Sequence, residues 1–231
     1  MAVVTGASEG IGRGIAVKLA ENSYVSVLAA RNREGLQKTG DVISNAGGQS
    51  IIIPTDVTEE DDVVRLFRKA DSYGRLDLLV NNAGVASFKP VEEISLDEWL
   101  EMIQVNLTGA FLCCREAVTR MKKRRKGHIV FMNSFSGKRP LPHGGGYSAA
   151  KYGLRGLADT LRLEVRKFNI KVTSVYPGSV DSSWWDKFDY DFPRKQMISV
   201  ESVVDAVWGA ISQTGRSVVE EIFVRQVGGD F

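Results

Sequence analysis

AVVTGASEGIG, residues 2–12, joins a short apolar run to three glycines at the spacing G-x-x-x-G-x-G. The apolar run predicts a strand and the amphipathic stretch 11–20 predicts a helix, so the glycines lie at a strand-to-helix turn. Glycine tolerates positive φ and lets backbone N–H groups approach a phosphate, while the helix N-terminus adds partial positive charge. A plain glycine-rich turn would contain the same residues, but this placement favours dinucleotide binding.

The rest of the chain alternates between strands and helices. Apolar, often β-branched runs predict buried strands at residues 24–30, 49–54, 77–81, 127–133, 171–176 and 219–224. Helical periodicity fills the intervals, at residues 12–22, 33–45, 59–73, 95–125, 147–168 and 203–211. A capping box fixes one helix start at Ser95, and Asn106, a poor helix former, is expected to break that helix. This regular alternation predicts an α/β fold: one Rossmann-type domain over residues 1–231, with a doubly wound parallel sheet of about seven strands flanked by helices.

Polar or glycine-containing segments follow these strands at their carboxyl ends. The glycine turn follows the first strand, and Arg31, Asp56 and Asn81 follow the next three. Ser134 and Pro177 follow the fifth and sixth strands. Ligands of such sheets bind beyond the carboxyl ends of the strands, so these segments are predicted to converge on one cleft.

Tyr147 and Lys151 lie four residues apart, shortly after Ser134. If this stretch begins a helix, the two side chains share one face. A free tyrosine has a pKa of about 10, and a neighbouring ammonium is expected to lower it towards the range of an acid–base catalyst. A Tyr-x-x-x-Lys pair alone is common, so its weight comes from the surrounding motifs.

Several motifs together resemble the short-chain dehydrogenase/reductase family. They are the glycine turn, Asn-Asn-Ala-Gly at residues 81–84, Asp56-Val57, and a Pro-Gly segment at residues 177–182 in which Ser182 stands where threonine is usual. The residues that match the family's catalytic tetrad in identity, order and spacing are Asn106, Ser134, Tyr147 and Lys151. The resemblance covers nearly the whole chain.

The resemblance implies a reaction, hydride transfer between a nicotinamide and a carbonyl or alcohol carbon. Tyr147 is then the acid–base group, Lys151 lowers its pKa and holds the nicotinamide ribose, and Ser134 donates a hydrogen bond to the substrate oxygen. Asn106 is expected to support a water that relays protons to Lys151. The implied cofactor-binding residues are Gly6, Ser8, Gly10, Ile11, Gly12, Arg31, Asp56, Val57, Asn82, Ala83, Gly84, Tyr147, Lys151, Pro177, Gly178, Val180 and Ser182.

The end of the second strand bears on the choice of dinucleotide. An NAD-binding chain needs an acidic residue there to accept a hydrogen bond from the ribose 2′-OH, and this chain has Ala30. Arg31 follows directly and could pair with a 2′-phosphate, a pattern that usually marks NADP(H) in the resembled family. Glu9 argues mildly for NAD(H), because NADP(H)-preferring relatives often have a basic residue in that turn. Arg31 and Arg33 could also be solvated loop residues. NADP(H) is the predicted cofactor, and an NAD-dependent alcohol dehydrogenase is the alternative.

Aromatic residues follow the Pro-Gly segment, where the resembled family has a lid over its substrate. Trp184, Trp185 and Phe188 could line an apolar pocket, or pack against the core or a partner subunit. Phe135 and His143, in the loop before the tyrosine, are expected to border the same pocket. The expected substrate is a small molecule without high charge, such as a small to medium apolar ketone or a 3-oxoacyl-type compound.

Composition bears on other classes of protein. The net charge of +2 gives no footprint of a nucleic-acid partner, and no apolar run reaches the roughly 20 residues that span a bilayer. Nothing resembles a secretory signal, so a cytoplasmic location is expected, and no metal site is expected. The resemblance implies a homodimer or homotetramer. A non-catalytic dinucleotide-binding regulator, or an epimerase or dehydratase of the wider superfamily, stays open.

Overall fold

Seven parallel strands form the central sheet of the computed structural model, which describes residues 1–188 and 193–229. The strands in chain order are β1 (Ala2–Thr5), β2 (Val25–Ala30), β3 (Gln49–Pro54), β4 (Leu78–Asn81), β5 (Gly127–Met132), β6 (Ile170–Pro177), β7 (Val180–Asp181), β8 (Ile198–Ser199) and β9 (Glu221–Val224). The order across the sheet is β3-β2-β1-β4-β5-β6-β9, and the short strands β7 and β8 pair with each other. The predicted fold class is confirmed.

Helices cover both faces of this sheet. They are α1 (Gly10–Glu21), α2 (Arg33–Asn45), α3 (Glu60–Asp71), α4 (Leu96–Ile103), α5 (Gly109–Arg124), α6 (Gly145–Val165) and α7 (Val200–Ile211). Buried residues of α3, α5 and α6 form one core and those of α1, α2 and α7 form the other. Val3 of β1 belongs to the first core and Val4 to the second, because successive strand residues point to opposite faces.

The chain reverses its direction across the sheet at β1. After β1 it adds β2 and β3 on one side, and it then returns to place β4 on the other side. This switch point leaves a crevice beyond the carboxyl ends of β1 and β4, where ligands of doubly wound sheets bind. The glycine turn lies directly above it.

Helix boundaries differ from the predicted ones in several places. The predicted helix 95–125 is divided into α4 and α5 by a π-helical turn, Gln104–Thr108, around Asn106. The helix α7 begins at Val200, earlier than predicted, because the Ser199 side chain caps it by accepting a hydrogen bond from Ser202 N. Within the described part of the chain, no helix combines the length and the apolar character needed to cross a membrane.

Candidate active site

A single cleft of about 530 Å³ collects nearly all of the predicted site residues. It runs along the carboxyl ends of the strands. The predicted residues that line it are Gly6, Ser8, Gly10, Ile11, Gly12, Arg31, Asp56, Val57, Asn82, Ala83, Gly84, Asn106, Ser134, Phe135, Tyr147, Lys151, Pro177, Gly178, Val180, Ser182, Trp184 and Trp185. The convergence expected from the strand order is therefore present in the structure.

The glycine turn presents bare backbone to this cleft. Gly6 and Gly10 have φ values of +65° and +54°, a region that side chains disfavour. A Cβ on Gly12 would overlap the Gly6 carbonyl oxygen and the side-chain nitrogen of Asn82. The Asn82 amide donates hydrogen bonds to the carbonyl oxygens of Thr5 and Gly6, at 3.0 and 3.2 Å. The turn is thus fixed against the start of α1, whose N-terminus suits a phosphate group.

The far end of the cleft lies beyond β2 and β3. Arg31 is exposed there, and its guanidinium lies 3.9 Å from the Asp56 carboxylate. Ala30, the last residue of β2, supplies no carboxylate for a ribose hydroxyl. Asn32 caps α2 by accepting a hydrogen bond from Gly35 N, which holds this corner in place. The Arg31 guanidinium is therefore only weakly paired with Asp56 and could bind an anionic group of a ligand.

Tyr147 and Ser134 lie at the opposite end of the cleft. Tyr147 belongs to the first turn of α6, and Ser134 follows β5. Burial raises the pKa of Tyr147 to about 12, while a hydrogen bond from the Ser134 hydroxyl acts in the opposite direction. The Ser134 oxygen also accepts a hydrogen bond from Ser136 N at 3.1 Å. The two hydroxyl groups are therefore held together, as two groups acting on one substrate oxygen would have to be.

Lys151 lies beneath the tyrosine and is only 4% exposed. Its ammonium group donates a hydrogen bond to the Met132 carbonyl oxygen at 3.0 Å and lies 5.5 Å from the centroid of the Tyr147 ring. Burial lowers the pKa of Lys151 to about 8. In this structure the pKa of Tyr147 lies above its ordinary value and not, as the spacing of the two residues predicts, below it. Burial of the phenol raises its pKa more than the hydrogen bond from Ser134 lowers it.

Asn106 completes the predicted tetrad from the π-helical turn. Its side chain is buried, and its nitrogen donates hydrogen bonds to the carbonyl oxygens of Val85 and Met102, both at 2.8 Å. Its Oδ1 atom is buried without a hydrogen-bond partner among the described residues. A Cβ on Gly84 would lie 2.8 Å from that oxygen and 3.8 Å from Lys151 Nζ. An unpaired acceptor and a buried ammonium thus face the same small space beside Gly84.

Sequence reasoning missed two residues that support this site. Asn133 is buried, its side-chain oxygen accepts a hydrogen bond from Ser134 N at 2.8 Å, and its nitrogen donates to the Lys151 carbonyl oxygen at 3.1 Å. The Thr5 hydroxyl oxygen accepts from the backbone N–H groups of residues 82 and 83, at 3.0 and 3.1 Å. Both are polar residues at the carboxyl end of a predicted strand, which is the signal that could have identified them.

The residues predicted to form a substrate pocket line the cleft only in part. Phe135, Trp184 and Trp185 line the cleft. Phe188 lies behind them and packs on Trp184, with ring centroids 5.0 Å apart. His143 is exposed and does not line the cleft, because it occupies a turn at φ +62° before α6.

Phe88 and Leu141 line the cleft in addition to the predicted residues. Phe88 is in the loop between β4 and α4. The Asn-Asn-Ala-Gly motif at the end of β4 indicates that this loop begins at the cleft, but it does not single out Phe88. The main chain fixes the loop beside the segment before α6, since Lys89 N donates a hydrogen bond to the His143 carbonyl oxygen at 2.8 Å.

Glu9 connects the glycine turn to the segment that carries the tryptophans. Its carboxylate accepts hydrogen bonds from Lys187 Nζ at 2.8 Å and from the Ser183 hydroxyl at 2.9 Å. The hydrogen bond from Lys187 is the main reason that the pKa of Glu9 lies below its ordinary value. A Cβ on Gly10 would lie 3.6 Å from Ser182, so this segment begins directly against the turn. The negative charge of Glu9 is therefore directed at the segment and is partly neutralised there.

Comparisons with known proteins agree with this geometry. The sequence profile described as short chain dehydrogenase matches residues 1–191. A sepiapterin reductase from Chlorobaculum tepidum is 34% identical over 236 aligned positions, which cover 99% of this chain and 96% of that protein.

Two solved structures share the fold over nearly the whole chain. One is an alcohol dehydrogenase from the archaeon Thermococcus sibiricus complexed with 5-hydroxy-NADP, at a TM-score of 0.90 and 30% identity, covering 98% of this chain and 96% of that one. The other is a metagenomic short-chain oxidoreductase in complex with NADP, at a TM-score of 0.87 and 34% identity, with the same coverage of 98% and 96%. The family profile, the curated relative and the shared fold agree, and this chain belongs to the short-chain dehydrogenase/reductase family of oxidoreductases.

Proposed function

We propose that this protein is an NADP(H)-dependent oxidoreductase that interconverts a carbonyl group and a secondary alcohol on a small molecule. The observation that carries the proposal is the meeting of Tyr147, Ser134 and Lys151 at one end of a cleft whose other end begins at a bare glycine turn. An acid–base hydroxyl, a second hydroxyl donor and a buried ammonium beside a phosphate-compatible turn suit carbonyl reduction at a dinucleotide.

The residues of the cleft fit a dinucleotide along its length. The glycine turn and the N-terminus of α1 would hold the pyrophosphate, because they offer backbone N–H groups and partial positive charge. A Cβ at Gly12 would overlap the backbone of this turn. Lys151 would hold the nicotinamide ribose, and residues 177–182 would border the nicotinamide, as the family resemblance implies. When bound, the nicotinamide supplies or accepts the hydride.

The proton is handled by the chain itself. In the direction of reduction, Tyr147 donates its phenolic proton to the substrate oxygen, while Ser134 donates a hydrogen bond to the same atom. A pKa of about 12 keeps Tyr147 protonated at neutral pH, which suits an acid in reduction. In oxidation the phenol must first lose its proton, and the same pKa makes that step costly near neutrality.

Lys151 would return a proton to the tyrosine, and Asn106 would help to position the water that supplies it. The unpaired Oδ1 atom of Asn106 and the Lys151 ammonium face the space beside Gly84. Buried waters in proteins satisfy polar groups that have no other partner. A water between these two groups would be positioned by Asn106 and would relay protons from the solvent to Lys151. The lowered pKa of about 8 lets Lys151 exchange a proton near working pH.

Arg31 favours a 2′-phosphorylated dinucleotide. Ala30 leaves no carboxylate to accept from a 2′-hydroxyl, and the Arg31 guanidinium is exposed beside it. The two related structures that contain an NADP-type ligand support the same choice. Glu9 does not oppose it, because its carboxylate is paired with Lys187 and Ser183.

A panel of carbonyl compounds with NADPH tests the reaction class. We expect net NADPH consumption with at least one uncharged ketone or aldehyde. An epimerase recycles its cofactor and a binding regulator consumes none, so either alternative would give no net consumption.

A tyrosine variant tests the role of Tyr147. Tyr147→Phe should lower kcat by about 10²–10⁴-fold while the Kd for NADPH, measured by fluorescence titration, stays within about twofold. Tyr152→Phe is the matched control, since Tyr152 is on the same helix and its hydroxyl donates to the Lys138 carbonyl oxygen away from the cleft. Near-normal turnover by the Tyr147 variant would remove Tyr147 from the mechanism.

Two single substitutions, one of them a control, test the cofactor preference. Arg31→Ala should lower kcat/KM for NADPH by about 5–30-fold, the range for a partly solvated charge-assisted contact, and leave NADH nearly unchanged. Arg33→Ala, an exposed arginine two residues away, should change neither value. Equal or better use of NADH by the unaltered protein would defeat the assignment.

A further inference from the structure

Four aromatic side chains form a wall beside Tyr147. We call Phe88, Trp184, Trp185 and Phe188 the aromatic wall. The Phe88 ring centroid lies 5.9 Å from that of Tyr147, and the Trp184 centroid lies 6.4 Å from it. Phe88 and Trp184 are therefore the members of the wall next to the hydroxyl that acts on the substrate oxygen.

The rings of the wall hold one another in fixed orientations. Trp184 stands at 87° to Trp185 with centroids 4.8 Å apart, and at 60° to Phe188 at 5.0 Å. Phe88 and Trp185 are nearly parallel, at 11° and 6.3 Å. The Trp185 indole N–H donates a hydrogen bond to the Val180 carbonyl oxygen at 2.7 Å. Edge-to-face and offset arrangements of this kind are the ones that aromatic rings prefer, so the wall presents ring faces and edges of defined direction.

Few of the described residues that line the cleft are charged, and the one beside the wall, Lys187, is paired with Glu9. The charged residues among the described lining are Glu9, Arg31, Asp56, Lys151 and Lys187. Three of them belong to the glycine turn and the ends of β2 and β3, the fourth is buried beneath the tyrosine, and Lys187 is paired with the turn. Along the part of the wall that the structure describes, a substrate therefore meets aromatic rings, and the charged group beside them, Lys187, already has Glu9 as its partner.

We propose that the substrate is an uncharged compound whose carbonyl carbon is attached to a flat aromatic ring, with that ring packed against Phe88 and Trp184. The inference rests on the carbonyl chemistry proposed above and narrows its substrate class. A flat ring makes edge-to-face or offset contacts with the wall that a saturated ring of the same carbon count cannot make. The substrate class is thus set by aromatic contact as well as by apolar area.

A matched pair of ketones tests the proposal. Acetophenone and cyclohexyl methyl ketone have the same carbon skeleton apart from ring saturation. Their intrinsic reactivity differs, so the measured quantity is the ratio of their kcat/KM values, compared between the unaltered protein and Phe88→Leu. We expect Phe88→Leu to lower the phenyl-to-cyclohexyl ratio by about three- to tenfold. Phe111→Leu, the same change at an exposed position on α5 outside the cleft, should leave the ratio unchanged.

A binding measurement separates this proposal from the redox assignment. Benzamide and cyclohexanecarboxamide mimic the two ketones and are not reduced, so their Kd values can be titrated through tryptophan fluorescence with NADPH in excess. Tighter binding of benzamide that depends on Phe88 supports the aromatic wall even if no ketone is reduced, and in that event only the proposed reaction fails. Equal ratios and equal Kd values in the unaltered protein and in Phe88→Leu would overturn the proposal, whatever the turnover.

Discussion

Gly12→Ala should disrupt the glycine turn by adding one methyl group. A Cβ at this position would overlap the Gly6 carbonyl oxygen and lie 2.9 Å from the Gly6 carbonyl carbon. Gly6 cannot move away easily, because its carbonyl oxygen and that of Thr5 accept hydrogen bonds from Asn82, at 3.2 and 3.0 Å. The chain must either break these bonds, at about 1 kcal/mol each, or strain the junction with α1, at about 1–3 kcal/mol.

These terms place the cost of Gly12→Ala at about 1–3 kcal/mol. For a domain of this size, each kcal/mol lowers the melting temperature by about 2–4 °C. We expect thermal unfolding to show a melting temperature lower by about 2–12 °C. The Kd for NADPH should rise as well, because the displaced backbone is the one that would hold the pyrophosphate in the proposed function.

Gly156→Ala is the matched control, with the opposite sign expected. Gly156 is exposed in the interior of α6, and a Cβ there would meet nothing within 4 Å. Alanine is favoured over glycine in a helix by about 0.5–1 kcal/mol, so this variant should melt slightly higher and bind NADPH normally. If Gly12→Ala melts and binds like the unaltered protein, the steric account of the turn is wrong.

Two further outcomes follow from the charged groups of the cleft. Lys151→Met should raise the melting temperature at pH 7 although it abolishes activity. The pKa of Lys151 is about 8 in the folded protein, whereas a lysine in the unfolded chain has a pKa of about 10.4. Between these two pH values the unfolded state binds more protons than the folded state, so the folded protein with Lys151 becomes more stable as the pH rises. The higher melting temperature of the variant should therefore vanish by about pH 10. Glu9→Ala should weaken NADPH binding about two- to fivefold by releasing the segment that Lys187 and Ser183 anchor, as expected for an exposed ion pair. The exchange Glu9→Lys with Lys187→Glu should restore binding in a fluorescence titration. If each single variant binds NADPH normally, or if the exchange does not restore the binding that they lose, the pair has no such role.

The fold was readable from sequence because its determinants are local. A strand buried on both faces appears as a short apolar run, and the glycine turn marks where the first strand ends. Parallel strands then bring their carboxyl ends to one edge, which is why Arg31 and Ser134, more than a hundred positions apart, could be assigned to the same cleft. The break at Asn106 was also readable, since asparagine is a poor helix former, but its π-helical form was not.

Features that depend on pairing between distant segments could not be read in this way. Phe88 reaches the cleft because its loop is hydrogen-bonded to the segment before α6, and no local period encodes that bond. The spacing of Tyr147 and Lys151 does give a shared helix face, yet it does not say where the ammonium points. The lysine donates to the Met132 carbonyl oxygen, and burial of the phenol, which the spacing does not reveal either, raises the pKa of Tyr147.

Glu9 shows that the effect of a charged side chain on ligand binding depends on the group with which it is paired. By residue type alone, an acidic side chain in the phosphate turn counts against a phosphorylated ligand. In the structure its carboxylate is directed at Lys187 and Ser183, so it faces the segment that carries the aromatic wall. The carboxylate that counts against NADP(H) binding by residue type therefore links the proposed cofactor end of the cleft to the proposed substrate end. A change at Glu9 should consequently alter ketone KM together with NADPH affinity, whereas a change at Arg31 should alter NADPH affinity alone, and steady-state kinetics of the two variants distinguish these cases.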